Sequence, residues 1–373
     1  MSVDRRAFLR TSLAAALAPA ALLAQTEQRH MVQMNGYPVD AETPLALLTD
    51  YITPIDLFFV RSHWVPRMPD LKKWRLKVDG DIEHANELSL SDLKRMPHSE
   101  VTCVLMCAGN GRAFHQPNVP GVQWRFGAVG NATWRGVRVR DVLARAGVHD
   151  TAKHLHLSGS DDPPRNVPPF HRSIEMTKAM DDAILAWEMN GVALPPQHGA
   201  PLRLVVPGWA GDHWMKWITR IAPDPESMKG FYMETAYRYP LHPGEPGVAF
   251  KPDEMSPVTD LFVKSNITTA PKRARAGVKQ TIRGFAFSGA PDIAKVEISD
   301  DDGATWQPAS LDSRHDPYAW RLWSFAWTPK SKGKKRLFAR ATDSRGATQP
   351  REPQWNQSGY LYNGWHSVDV EAV

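Results

Sequence analysis

The sequence predicts two architectures in tandem, a mixed α+β domain followed by an all-β sandwich, and three observations carry that expectation. Up to about Tyr239, short β-branched apolar runs alternate with segments of helical spacing. Between Tyr239 and Pro257 stand Pro240, Pro243, Pro246, Pro252 and Pro257 with Gly244 and Gly247, a density that breaks regular structure. Beyond it, segment after segment alternates apolar and polar residues at period two, separated by turn residues. That spacing over about a hundred residues is the pattern of an immunoglobulin-like sandwich.

Taken in order, residues 1–24 read as an export signal. Asp4-Arg5-Arg6-Ala7-Phe8-Leu9-Arg10 is a twin-arginine pattern, and the apolar stretch Leu13–Ala20 is too short to span a membrane. Cleavage near Ala20 or Ala24 would leave a periplasmic protein carried across the membrane already folded. Residues 32–239 form the expected mixed domain. Trp74–Val78, His154–Leu157 and Leu202–Val206 are strand candidates within it. Helices are expected at Leu88–Lys94, with Ser89 or Ser91 as cap, and at Arg140–Gly147, with Gly147 as the stop. Residues 240–257 are the connection, and residues 258–373 the sandwich. There the strand candidates are Ile282–Phe287, Lys295–Ser299, Arg336–Ala341 and His366–Val370, with a hairpin signal at Asp302-Gly303.

Composition excludes several functions. With 42% hydrophobic and 23% charged residues the chain is an ordinary globular protein. Its formal charge is +5, of which the signal carries +2 through three arginines and one aspartate, so the remainder does not point to nucleic acid. No apolar run after the signal is long enough to span a bilayer. There is no Walker loop, no Gly-x-Ser-x-Gly elbow and no Cys-x-x-Cys-His haem attachment, and Phe114 stands where a dinucleotide fingerprint needs its third glycine. The sandwich half lacks cysteine and so has no thiolate for a blue-copper site.

The chemistry concentrates in Cys107-Ala108-Gly109-Asn110-Gly111-Arg112. It follows the buried-strand pattern Val101–Met106 and places a thiol in a glycine-opened loop beside an arginine, a site for a soft metal next to an anion. The chain has only one other cysteine, Cys103, which reads as a small buried hydrophobe.

That motif, together with Leu57–His63, the stretch Leu185–Gly191 and the segment Leu204–Trp209 with Lys216-Trp217, resembles the sulfite oxidase family of molybdenum enzymes in order and spacing. The resemblance runs from about Val32 to the C-terminus. It implies a sulfite-oxidase-type molybdopterin domain, a C-terminal dimerisation domain and hence a homodimer, and a molybdenum-molybdopterin cofactor with Cys107 as the protein's metal ligand. It further implies that Arg61 and Arg112 grip an oxyanion through planar guanidinium forks. Trp124 would line the same pocket. Phe59, Arg61, His63, Asp161, His171, Arg172, Ser173, His213 and Lys216 would contact the cofactor.

Three departures bear on the substrate. Trp187 stands where the resemblance implies an active-site tyrosine, Ser358 where it implies a further pocket arginine, and His213 where it implies another arginine. The expected activity is oxidation of sulfite or a related sulfur compound, with electrons passed to a separate c-type cytochrome because this chain has no haem motif. A sulfane-sulfur dehydrogenase or a sulfoxide reductase is the alternative within the class, and a non-catalytic secreted binding protein the alternative outside it.

Overall fold

The computed structural model describes residues 30–36, 38–64, 68–161 and 163–373. The expected export signal lies outside the described residues. The structure is mostly β, with four short α-helices of four to six residues among those described. Helix was thus over-expected in the first half. Leu90–Lys94 does form, capped by Ser89, whose hydroxyl accepts from Asp92 N while the Asp92 carboxylate accepts from Ser89 N. Val139–Ala144 is the second, with Gly147 turning the chain after it in the left-handed region.

Two five-stranded sheets build the first half. One is antiparallel, in the order Val192–Ala193, Ile184–Met189, Val129–Arg138, Ser99–Met106, with Arg203–Val205 also pairing to Ile184–Met189. The other runs Asn86–Leu88, Leu76–Val78, Ile218–Asp224, His154–Gly159, His171–Glu175, and is mixed because Ile218–Asp224 pairs parallel to Leu76–Val78. The residues 240–257 are less irregular than their prolines suggest. Arg238–Pro240 and Met255–Pro257 close them into a two-stranded antiparallel ladder.

The second half is two sheets of four and five strands. Ile282, Ala286, Trp323 and Trp327 from one and Val296, Ile298, Leu337, Ala339, Ala341 and Val370 from the other share one buried cluster. Burial of each of the Val, Ile and Leu side chains among them contributes about 1.5–3 kcal/mol. The Asp302-Gly303 turn has both residues at positive φ and joins Ile293–Ser299 to its partner Gln307–Pro308.

A further core joins the halves. Val104, Met106, Ala108 and Val129 pack with Phe285, Phe287, Trp320 and Leu361, and the Trp320 indole donates to Tyr51 O at 2.9 Å. The strand Ser99–Met106 is wholly buried along its last four residues, so the loop that follows starts from a rigid base.

Candidate functional site

The Cys107 loop is fixed by backbone and side-chain bonds at close spacing. Cys107 N donates to Ala128 O at 2.9 Å, Asn110 N to Cys107 O at 2.9 Å, and Ala128 N to the fully buried Asn110 Oδ1 at 3.2 Å. From the C-terminal half, Leu361 N donates to Ala108 O at 2.8 Å. Gly111 sits at φ +97°, and a Cβ there would stand 2.6 Å from Tyr362 Cβ, so no other residue fits this close approach.

Cys107 opens onto a pocket whose lining includes Phe59, Arg61, His63, Asp161, His198, Arg203, Asp212, Lys216 and Tyr237. Three cationic side chains face it. Arg61 Nη1 donates to Asp40 Oδ1 at 3.3 Å and to Ser62 O, and its Nη2 donates to His63 Nδ1 at 3.2 Å. Lys216 Nζ donates to Ser62 Oγ at 2.7 Å and Gln197 O at 2.9 Å. Arg203 Nη1 donates to His198 O at 2.9 Å, and its guanidinium lies 4.8 Å from the Trp134 ring centroid.

Because a guanidinium only donates, Arg61 fixes the tautomer of His63: Nδ1 accepts and the proton sits on Nε2. Nε2 then donates to the Tyr237 hydroxyl at 2.8 Å, which leaves the Tyr237 O–H free to donate within the pocket. Burial, reinforced by the charges of Arg61 and Lys216, pushes His63 down to about 3, so the ring is neutral at physiological pH. Burial raises the Cys107 thiol, and Arg61 and Arg112 pull it back toward the thiolate.

The pocket leaves polar atoms unpaired. His198 Nε2, Arg203 Nε, Asp212 Oδ1 and Trp64 Nε1 are buried without a partner in the protein. Such orphans are costly unless a ligand meets them. A sulfur donor beside a cationic, hydrogen-bond-hungry cavity fits a phosphate-bearing pterin that presents a soft metal to Cys107.

Of the residues expected from sequence, Phe59, Arg61, His63, Cys107, Asp161 and Lys216 come together in this pocket. Arg112 and Trp124 lie next to the Cys107 loop without lining the pocket. Arg112 is buried, with Nε donating to Ser358 O at 2.9 Å and Nη1 to Val122 O at 3.0 Å. Trp124 is fully buried, its indole nitrogen is unpaired, and its carbonyl accepts from Ala113 N at 3.1 Å. His171 is half-buried on the strand His171–Glu175, with Asp161 close enough to act on its titration.

Arg172, Ser173 and His213 do not line the pocket. Arg172 Nη2 donates to Asp212 Oδ2 at 2.7 Å and lies 2.8 Å from His213 Nε2, with all three side chains buried, so this group braces the pocket-lining Asp212 from behind. Ser173 Oγ meets Ser227 Oγ at 3.1 Å and accepts from Met228 N at 3.0 Å.

Trp187 is outside the site. It lies within the strand Ile184–Met189, 3% exposed, with its ring edge-on to His98 at 5.3 Å. The strand's pleat turns this position into the sheet's core, and the phenol in the pocket is Tyr237 instead. Tyr237, His198, Arg203 and Asp212 were not anticipated. Arg203 did carry a signal, a cation inside the otherwise apolar run Leu202–Val206. Tyr237 carried none, because its place depends on a left-handed backbone at φ +56°.

Known proteins resemble this chain along most of its length. The profile of the family described as "Oxidoreductase molybdopterin binding domain" matches residues 62–232, and that of "Mo-co oxidoreductase dimerisation domain" matches residues 256–373. Mitochondrial sulfite oxidase of Homo sapiens is 37% identical over 353 residues, covering 89% of this chain and 64% of that protein. The chain therefore spans about two thirds, slightly less, of the length of such animal relatives. Sulfite oxidase of Arabidopsis thaliana is 34% identical over 365 residues, 89% of this chain and 91% of that protein. Among solved structures, the sulfane dehydrogenase SoxCD from Paracoccus pantotrophus superimposes with a TM-score of 0.81 at 28% identity, covering 93% of this chain and 90% of that one. Matched along nearly its whole described length, the chain belongs to the sulfite oxidase family of molybdopterin-dependent oxidoreductases.

Proposed function

We propose that this protein is an exported, periplasmic molybdenum enzyme that oxidises sulfite or a related sulfur oxyanion and passes the electrons to a separate c-type cytochrome. The observation that carries the reading is the Cys107 thiol on the wall of a cavity lined by Arg61, Arg203 and Lys216, whose lining residues leave buried polar atoms unpaired. Arg203, Lys216 and His198 would hold the anionic part of the cofactor, and Cys107 its metal. When bound, the cofactor supplies two-electron oxygen-atom chemistry.

The protein's own groups bind and orient. Arg61 on the pocket wall and Arg112 behind the Cys107 loop both act on the thiol, and in the loaded site they would offer charged donors to an oxyanion. The Tyr237 hydroxyl, held by the neutral His63, donates to an oxygen within the pocket. The apolar side chains Phe59, Phe170 and Trp214 in the lining lower the local dielectric, which strengthens each of these interactions.

Among the described residues no helix is long and apolar enough to cross a membrane. We read residues 32–239 as the catalytic domain, 240–257 as the connection and 258–373 as the surface for a homodimer, which the match to a dimerisation domain supports. A second reading, oxidation of sulfane sulfur, is favoured by Ser358: its carbonyl engages Arg112, and its side chain brings no cation to the substrate side.

Steady-state assay of the molybdenum-loaded protein with an artificial electron acceptor against sulfite, thiosulfate and sulfoxides tests both readings. Turnover of sulfite with the highest kcat/KM is expected. Preference for a sulfane donor transfers the case to the second reading, and turnover of neither contradicts both.

A further inference from the structure

Tyr360, from the C-terminal half, occupies the space between the two groups that the site needs most precisely placed. Its ring lies parallel to that of Tyr237, with centroids 5.3 Å apart at 13°. The Arg112 guanidinium carbon sits 5.3 Å from the Tyr360 ring centroid. Burial raises the Tyr360 phenol, and the nearby Arg112 charge and Tyr237 backbone amide pull it back. Tyr360 is itself clamped: its N–H donates to Asn356 Oδ1 at 2.9 Å, and Asn356 Nδ2 donates to its carbonyl at 3.0 Å. One buried phenol thus lies near the arginine beside the thiol and both ring and amide of the pocket tyrosine.

Both partners need holding. Tyr237 has φ +56°, an uncommon conformation for a side-chain-bearing residue, which persists only where its surroundings enforce it. Arg112 passes among three glycines, Gly109, Gly121 and Gly359, where an added Cβ would come within 2.7 to 2.8 Å of its side chain. Those glycines make room for the guanidinium. Tyr360 offers its π-face as an attractive surface on which it can settle.

We infer that Tyr360 is a positioning residue with two separable duties: its ring sets the Arg112 guanidinium for the substrate anion, and its hydroxyl sets the Tyr237 phenol in the pocket. The inference rests on the reading of Arg112 and Tyr237 as substrate-side groups. A residue that merely filled space would not separate the two effects.

The test uses the molybdenum-loaded full chain as wild type, Tyr360→Phe and Tyr360→Leu at matched metal content, with sulfate as the anion probe and sulfite as substrate. Calorimetric sulfate affinity reads the Arg112 side without turnover. Loss of the ring in Tyr360→Leu is expected to weaken sulfate binding by about fivefold, the scale of a partly desolvated cation–π contact, whereas Tyr360→Phe keeps wild-type affinity. Loss of the hydroxyl in Tyr360→Phe is expected to lower kcat for sulfite with KM unchanged. Wild-type sulfate affinity in Tyr360→Leu overturns the ring's duty, and wild-type kcat in Tyr360→Phe overturns the hydroxyl's. If wild-type protein binds sulfate yet does not turn over sulfite, the proposed reaction fails while the affinity comparison still decides the ring's duty.

Discussion

At Arg112 the side chain spends two of its nitrogens on carbonyls, Ser358 O and Val122 O, and has Nη2 left for an anion. Lysine at this position reaches with a single ammonium and cannot hold both walls of the loop while also presenting a donor. Arg112→Gln is expected to raise KM for the sulfur oxyanion more than about tenfold, the worth of a charged hydrogen bond, and Arg112→Lys to recover little of it. Steady-state kinetics of the two variants check this, and a wild-type KM in either would make Arg112 a loop brace only. The same scale separates the pocket's phenol from the tryptophan that sequence reasoning put in its place. Tyr237→Phe removes a donor from the pocket and is expected to lower kcat, while Trp187→Phe changes only a ring packed against His98 and is expected to leave kcat for sulfite intact. Equal losses in the two variants would refute that assignment. Position 187 was misread because a motif gives the order of residues along a strand but not which face of a buried sheet each one occupies.

Among the elements, the strand Ser99–Met106 and the loop after it were legible because a β-branched run, two cysteines and two glycines each have few structural uses. The strand Lys264–Thr269 was not legible at all. Its sequence, Lys-Ser-Asn-Ile-Thr-Thr, reads as solvent-facing, yet its first four residues are buried where the two halves meet. Lys264 Nζ has no hydrogen-bond partner and lies 5.3 and 5.6 Å from the Phe126 and Tyr362 ring centroids, and burial pushes its amine down to about 7. Two aromatic faces offset only part of the desolvation of a buried ammonium. Lys264→Met, similar in shape and apolar, is expected to stabilise the protein by roughly 1–3 kcal/mol, the cost of an unpaired buried polar group. Denaturant unfolding at pH 7 measures it, and destabilisation by Lys264→Met would mean that the amine has a partner worth more than its desolvation.

On the scale of the whole molecule, period-two alternation made the sheets of the C-terminal half readable, whereas their role in the site was not, since Ser358 and Tyr360 reach the Cys107 loop only through the tertiary fold. The buried histidines also store a pH dependence. Burial, with the charges of Arg112 and Lys264, pushes His115 down to about 4; burial with Lys216 and Arg203 takes His198 to about 3, and burial with Lys264 takes His366 to about 3. Unfolded histidine takes up a proton near pH 6.5, so below that pH the unfolded chain binds protons the folded one refuses. Stability is therefore fully present above about pH 6.5 and is lost as pH falls toward 4, by about 2 kcal/mol per buried histidine at pH 5. Thermal unfolding between pH 7 and 5 should show a smaller drop in His366→Gln than in wild type, and equal drops would contradict the linkage. All of this geometry converges on one thiol. The most direct test of the central claim is sulfite turnover with an artificial acceptor by wild type and Cys107→Ser, with pterin content determined on the same preparations. Wild type is expected to turn over and Cys107→Ser to retain the pterin while losing turnover; sulfite oxidation by Cys107→Ser at the wild-type rate would contradict the account.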